Sequence, residues 1–293
     1  MSAEQLAKKT VKKQSQIHGI LLRLKKNKSA MLGLAIFTLI IVVAIFAGTL
    51  FDYGEVVIKM DIGNRLQPPG EGHPLGTDAY GRDVLARIVY GTRISLMLGL
   101  ITVTVALSAG SIIGALSGFY GGWLDNILMR IMDVFLSIPS LLLAIAVVAS
   151  LGPGIVNTMI AVAISNIPGY SRIIRSTIMS IRDKEFVEAA RAVGTSDLRI
   201  IVRHILPNSI GPVIVQATLG VGNVIITAAS LSFLGLGIQP PMPEWGAMLS
   251  EGKEYIRYLP HLVFFPGLSI MITVLSLNLL GDGLRDALDP RLK

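Results

Sequence analysis

Cysteine is absent from all 293 residues, which excludes disulfides and thiolate metal sites and leaves the redox compartment open. Charge is scarce as well. Asp, Glu, Lys and Arg together make up 15% of the chain, where a soluble domain carries about 25%. With 52% hydrophobic residues and a mean hydropathy of +0.65, that deficit points to a membrane protein. No phosphate-binding G-x-x-x-x-G-K-[ST] loop is present: Gly252-Lys253 is followed by Glu254 and lacks the upstream glycine at the required spacing. The four histidines, His18, His73, His204 and His261, are scattered and form no ligand pair, so no metal site is expected. No internal repeat stands out.

The charge that remains is uneven. Residues 1–28 carry eight Lys/Arg against Glu4 alone. A basic arm can bind nucleic acid, but one that precedes an apolar run marks the cytoplasmic side of a first span, and no nucleic-acid partner is expected. Its stretch from Ile17 to Lys28 is expected to form an amphipathic helix along the lipid surface. Ser29 to Phe51 then holds 23 uncharged residues, enough to cross about 30 Å of hydrocarbon. A signal peptide would have a shorter core and a clear A-x-A exit, so this is read as a retained span.

Further uncharged runs place span two near Ser95–Phe119, three near Ile127–Leu151, four near Ile155–Tyr170, five near Gly211–Leu234 and six near Leu259–Leu280. Gly152-Pro153-Gly154 divides spans three and four. With the N-terminus inside, the inner segments hold 19 Lys/Arg and the outer ones 6, which favours six spans with both termini cytoplasmic. The expected organisation is a basic arm (1–28), a first span (29–51), an extracytoplasmic loop (52–92), a transmembrane core (93–283) and a short cytoplasmic tail (284–293). At the start of span three, Arg130 and Asp133 are spaced to pair on one helix face.

One charged interruption, "EFVEAARAVGTSDLRIIVRHILP" (185–207), falls on the inner side. From Asp183, Phe186, Val187, Ala190 and Val193 recur at helical spacing. Glu188 precedes Arg191 by three residues, a modest ion pair. Gly194 stands where a helix-ending residue needs a left-handed backbone. Thr195 or Ser196 can cap a second helix, Asp197–His204, with Asp197 favourable in its first turn, and Pro207 ends or kinks it before span five. The expectation is a rigid handle, with Ala189 and Ala190 leaving room for another protein. The alternative is an ordinary linker, which would be more polar and less periodic.

Glu188-Ala189-Ala190, three residues, Gly194, nine residues, then His204-Ile205 before Leu206-Pro207 resembles the EAA loop of integral membrane permeases of bacterial ABC importers. His204 departs from the family's apolar residue, and that departure resembles the "RHILPN" ending of the dipeptide, oligopeptide and nickel branch. "HPLGTDAYGRD" (73–83), "GTRISL" (91–96), "AASLSFLGLGIQPPMPEWGAML" (228–249) and "LLGDGLRDALDP" (279–290) resemble the C-type permease of that branch. The resemblance implies an all-α, type I ABC importer permease fold in the bacterial plasma membrane, with 183–207 as a coupling helix. It implies a homologous permease partner, two ABC ATPase subunits and an extracytoplasmic substrate-binding protein. No cofactor is expected on this chain, because ATP and Mg would sit on the partner ATPases. Glu188, Ala189, Ala190, Arg191, Gly194, Asp197, Leu206 and Pro207 are the implied coupling residues.

Three further sets of residues invite two readings each. Asp78, Arg82 and Asp83 either face the binding protein or cap the start of span two. Trp245 either contacts that protein or anchors at the interface. Asn157, Asn166, Gln216, Asn223 and Asn278 either join helices or line the substrate path, since polar groups at membrane depth avoid lipid. Peptide is the expected substrate class, with nickel and glutathione as alternatives. An intramembrane protease using Asp133 and Asp282 is the enzyme alternative, although "LLGDG" lacks the further glycine of a G-x-G-D pattern. A stand-alone channel leaves the handle unexplained.

Overall fold

A computed structural model describes residues 16–288. Its helices are α1 (Gln16–Lys26), α2 (Lys28–Leu50), α3 (Val84–Tyr120), α4 (Gly122–Leu136), α5 (Ser140–Leu151), α6 (Ile155–Arg182), α7 (Glu185–Ala192), α8 (Asp197–Phe233), α9 (Trp245–Gly252) and α10 (His261–Leu288). Among the described residues there are no strands, only isolated bridges at Gly70–His73 and Thr77–Asp83. Hence the chain is all-helical, as its composition implies.

Four helices, α2, α3, α8 and α10, are long and apolar enough to cross a membrane. Helices α4 and α5 make a fifth only if counted together, because they meet at 86°. A straight third span from Ile127 to Leu151 is therefore corrected to a broken one. The cause is Pro139, whose ring disfavours a helical Ile138 and which has no N–H to donate. The fourth expected span, Ile155–Tyr170, is the front of a 28-residue helix that runs on through Arg172, Arg175 and Arg182. Span two begins earlier than expected, at Val84, because its first turns carry buried Arg87 rather than an uncharged sequence. The expected tail from residue 284 continues α10 as far as Leu288.

The expected helix over Ile17–Lys28 is cut at Asn27, whose side chain accepts from the Ala30 N–H at 3.1 Å and starts α2. The Asn27 amide also reaches Asp286 (3.3 Å), and Arg23 donates to the Ala287 carbonyl (3.2 Å). Leu24, Ala30 and Ala287 close over one another, so α1 is tied to the end of α10. The rest of the basic arm and residues 289–293 lie outside the described residues.

The tightest packing joins α3 to α6. Gly110, Gly114 and Gly118 form a small-xxx-small-xxx-small stripe along α3. A Cβ at Gly110 would stand 2.7 Å from Tyr170 Cβ, at Gly114 2.5 Å from the Ser171 carbonyl oxygen, and at Gly118 2.8 Å from the Arg175 carbonyl oxygen. The two backbones are thus in contact over three turns. Helices α2 and α10 use the same device at Gly33 and Gly283. Gly114→Val overfills this seam and is expected to cost about 1–3 kcal/mol, read as a lower melting temperature of the purified protein in detergent; Ser111→Val on the same helix serves as the control.

Candidate coupling surface and its supporting polar clusters

Helix α7 is closed as the sequence predicts. Gly194 adopts φ +77°; its N–H bonds the Arg191 carbonyl (2.9 Å) while the Thr195 N–H bonds the Ala190 carbonyl (3.1 Å). That pair of bonds is a Schellman motif. Ser196 is the N-cap of α8, without a side-chain bond. Only part of the expected apolar face is buried. Val187 and Ala190 belong to one buried apolar cluster with Ile174, Ile178, Ile181, Ile200, Ile201, Ile205 and, from the end of α3, Ala115 and Phe119. Phe186 and Val193 instead point outward, 40% and 80% exposed, as do Leu198 and Val202. Glu188, Ala189, Arg191, Gly194 and Asp197 are exposed beside them. No ion pair joins Glu188 to Arg191 among the described residues; the Arg191 guanidinium stacks over Phe119 at 5.1 Å.

Pro207 does not end a helix. Helix α8 runs unbroken from Asp197 to Phe233 and contains a π turn at Ile201–Ile205. The Leu206 N–H reaches back five residues to the Ile201 carbonyl, which widens the helix just where the proline ring needs space. The Asn208 amide donates to the His204 carbonyl at 2.6 Å. Leu206 is half-buried and Pro207 exposed. The handle is therefore a direct extension of a membrane-spanning helix, with Gly194 as its single elbow.

At the end of the bundle that carries α7, Arg175 clasps Asp125 through Nε (2.6 Å) and Nη2 (2.5 Å), and Ser117 donates to the same carboxylate. Arg182 donates to the Gly118 carbonyl at 3.0 Å. Asp133, expected to pair with Arg130, pairs with Arg172 at 2.6 Å across α4 and α6. The break at Pro139 turns α4 against α6, so the better partner lies on the neighbouring helix. Asp125, Arg130, Asp133, Arg172 and Arg175 line a cleft of about 710 Å³ between α4 and α6.

The five amides separate into two groups. Asn157 donates to the Leu151 and Gly152 carbonyls (2.9 and 3.0 Å), closing the turn that precedes its own helix. Asn166 donates to the Val162 carbonyl at 2.8 Å. Gln216 is half-buried, whereas Asn223 and Asn278 are exposed. The last two belong to packed helices: Gly222, beside Asn223, faces Asn278.

At the end of the bundle opposite α7, sequence reasoning missed the cluster that matters most. Asp78 accepts from Arg82 Nε (2.7 Å) and from Arg87 Nη1, while Glu251 accepts from Arg82 Nη2 (2.7 Å) and from Arg87 Nη1. The Arg82 and Arg87 side chains are 0% and 1% exposed. Two cations and two anions thus neutralise each other while fastening the outer loop, the head of α3 and α9 together. Asp83 caps α3 through the Ala86 N–H (2.8 Å) and pairs with His73 Nδ1 (2.8 Å). Trp245 is no interfacial anchor: it is 1% exposed, and its Nε1 donates to the Ile88 carbonyl at 3.2 Å. Glu244 caps α9 through the Gly246 and Ala247 N–H groups (2.8 and 2.9 Å). Burial pushes its carboxyl above the usual range against the pull of those two bonds. Arg87 carried one usable signal, charge inside a segment whose neighbours are apolar, whereas Glu251, beside Ser250, Gly252 and Lys253, carried none.

Comparison with known proteins accounts for this architecture. Residues 110–293 match the family described as the binding-protein-dependent transport system inner membrane component, and residues 15–69 match the N-terminal TM domain of oligopeptide transport permease C. The chain belongs to that family of inner-membrane transport components. It is 53% identical over 273 residues to the dipeptide transport system permease protein DppC of Alkalihalophilus pseudofirmus, covering 92% of this chain and 88% of the relative. It is 47% identical to the glutathione transport system permease protein GsiD of Pectobacterium atrosepticum, covering 92% and 89%. Among solved structures it resembles a chain of the MetNI methionine ABC transporter in an inward-facing conformation, with a TM-score of 0.58 and 18% identity over 69% of this chain and 96% of that one. At that identity the likeness concerns the fold.

A Cβ at Gly194 meets no neighbouring atom, so the penalty of Gly194→Ala is backbone strain at positive φ, about 1–2 kcal/mol. Amide hydrogen exchange is expected to speed up across Glu185–Ala192 while α3 and α6 stay protected.

Proposed function

We propose that this chain is the C-type permease subunit of an ATP-driven importer of di- and oligopeptides in the bacterial plasma membrane. It forms half of the translocation path and couples that path to ATPases on separate chains. The observation that carries the reading is the exposed α7 surface, set by a Schellman turn on an apolar base and continuous through α8 with the membrane. A linker has no reason to be built so rigidly.

In this reading the chain crosses the membrane six times, α4–α5 being one broken crossing and α6 another, with both termini cytoplasmic. A homologous permease completes the path, and two ABC ATPase subunits, which hold ATP and Mg, receive the two coupling helices. Lipid surrounds the remainder, and nucleic acid has no part. ATP binding draws the ATPases together; α7 follows its groove, and α8 tilts as its direct extension. Glu188, Ala189, Arg191, Gly194 and Asp197 form the docking face, with Ala190 on the buried base beneath it and Leu206 and Pro207 at its root. An extracytoplasmic binding protein meets the outer loop, which Asp78, Arg82, Asp83 and Trp245 hold from beneath.

Peptide as substrate is supported by the relatives named for dipeptide and glutathione transport, since glutathione is itself a small peptide. Exposed Asn223 and Asn278, with Gln216, offer amide donors and acceptors that suit a peptide backbone whatever its side chains. A nickel substrate would make no direct use of such a path.

In vesicles containing this chain with its permease and ATPase partners and the loaded binding protein, ATP-dependent uptake is expected for a labelled dipeptide. Uptake of glutathione but not of a dipeptide would move the substrate to the second relative's class, and absence of ATP-dependent uptake of either would overturn the reading. Glu188→Lys puts a cation on the docking face and is expected to cut uptake at least tenfold, with unchanged membrane abundance in immunoblots.

A further inference from the structure

Helix α3 joins two sites at opposite ends of the molecule. Its 37 residues extend about 55 Å at 1.5 Å per residue, well beyond the ~30 Å hydrocarbon layer. Its head carries Arg87, locked with Arg82, Asp78 and Glu251. Its foot carries Ala115 and Phe119, which share one buried apolar cluster with Val187 and Ala190 of α7, and the Arg191 guanidinium stacks over Phe119. Sharp bends in helices have identifiable causes, proline foremost. Helices α6, α8 and α10 contain Pro168, Pro207 with Pro212, and Pro266, whereas α3 contains none. The glycine seam with α6 and the Asp125–Arg175–Ser117 lock brace it along its inner half.

We infer that α3 is a rigid strut carrying displacement between the outer cap and α7, and that Arg87 and Glu251 are positioning residues that set the angle between strut and cap. Buried ion pairs rarely stabilise a fold better than an apolar core would. Their distinctive property is orientation: two guanidinium forks against two carboxylates admit few geometries. The inference rests on the importer reading, because a strut needs a partner acting at each end.

The test uses the whole transporter in proteoliposomes. As the chain has no cysteine, Met60→Cys on the outer loop and Lys184→Cys at the start of α7, both exposed, can carry a spin-label pair. The distance between the labels is expected to stay constant between the nucleotide-free and ATP-trapped states. A shift greater than one helical turn, about 5.4 Å, overturns the strut; a smaller one supports it. Dipeptide uptake by the same labelled transporter tests the importer reading separately, so that active uptake with a large shift removes the strut alone. Glu251→Gln keeps the side-chain shape and removes its charge. It is expected to reduce stimulation of ATP hydrolysis by dipeptide-loaded binding protein about tenfold, with basal hydrolysis within about twofold, and Glu251→Asp is expected to recover part of the loss. Equal loss of both rates, or of neither, overturns the positioning role. The distance measurement leaves the cluster intact and decides the matter where Glu251→Gln does not assemble.

Discussion

The backbone contact between α3 and α6 is the constraint on which the rest depends. In lipid, helices gain little from burying apolar side chains against one another, because the surrounding tails are equally apolar. Close approach at Gly110, Gly114 and Gly118 supplies dispersion contacts that lipid cannot match. It also puts the Asp125 carboxylate within reach of Arg175. Once α6 is fixed on α3, two residues, Asp183 and Lys184, lead from its end at Arg182 to α7 at Glu185. The base of α7 then joins the same apolar cluster as Ala115 and Phe119.

The two ends of the bundle solve the problem of charge differently. At the end that carries α7, Arg172 and Asp133 are 58% and 50% exposed, where an ion pair contributes little. At the opposite end, Arg82 and Arg87 are buried, so losing one partner would strand a charge at a cost of about 3–5 kcal/mol. The buried cluster is consequently built to be all or nothing, while the exposed pair can exchange partners as helices move.

Much of this was legible in the sequence, for physical reasons. The first apolar run and the glycine at Gly194 each reflect a local rule, and each appeared where that rule put it. The features that escaped detection depend on partners distant in sequence. The uncharged run puts the start of span two near Ser95, whereas the helix reaches back to Val84 past Arg87, whose charge is cancelled by Glu251, more than 160 residues away. Trp245 looked interfacial because its acceptor, the Ile88 carbonyl, cannot be foreseen from position 245. Arg130 and Asp133 had the right spacing, but Arg172 offered a closer cation. Pro139 is a different matter: its effect on Ile138 is local, and the bend at the end of α4 could have been read from the chain. Pro207 misled in the opposite direction, because the π turn that accommodates it leaves no mark in residue type.

That π turn has a consequence for length. A π turn is one residue more than an α-helix needs, so the docking face and the membrane-spanning part of α8 are set against each other by an added rotation of about 100°. Deleting one residue between Ile201 and Ile205 would restore ordinary winding, drive the Pro207 ring into the preceding carbonyl and turn Leu198 and Val202 away from their present side. Adding one would require a second widening with no proline to occupy it. The number of residues separating Gly194 from Pro207 is therefore a phase angle, and the handle can change its side chains far more freely than its count.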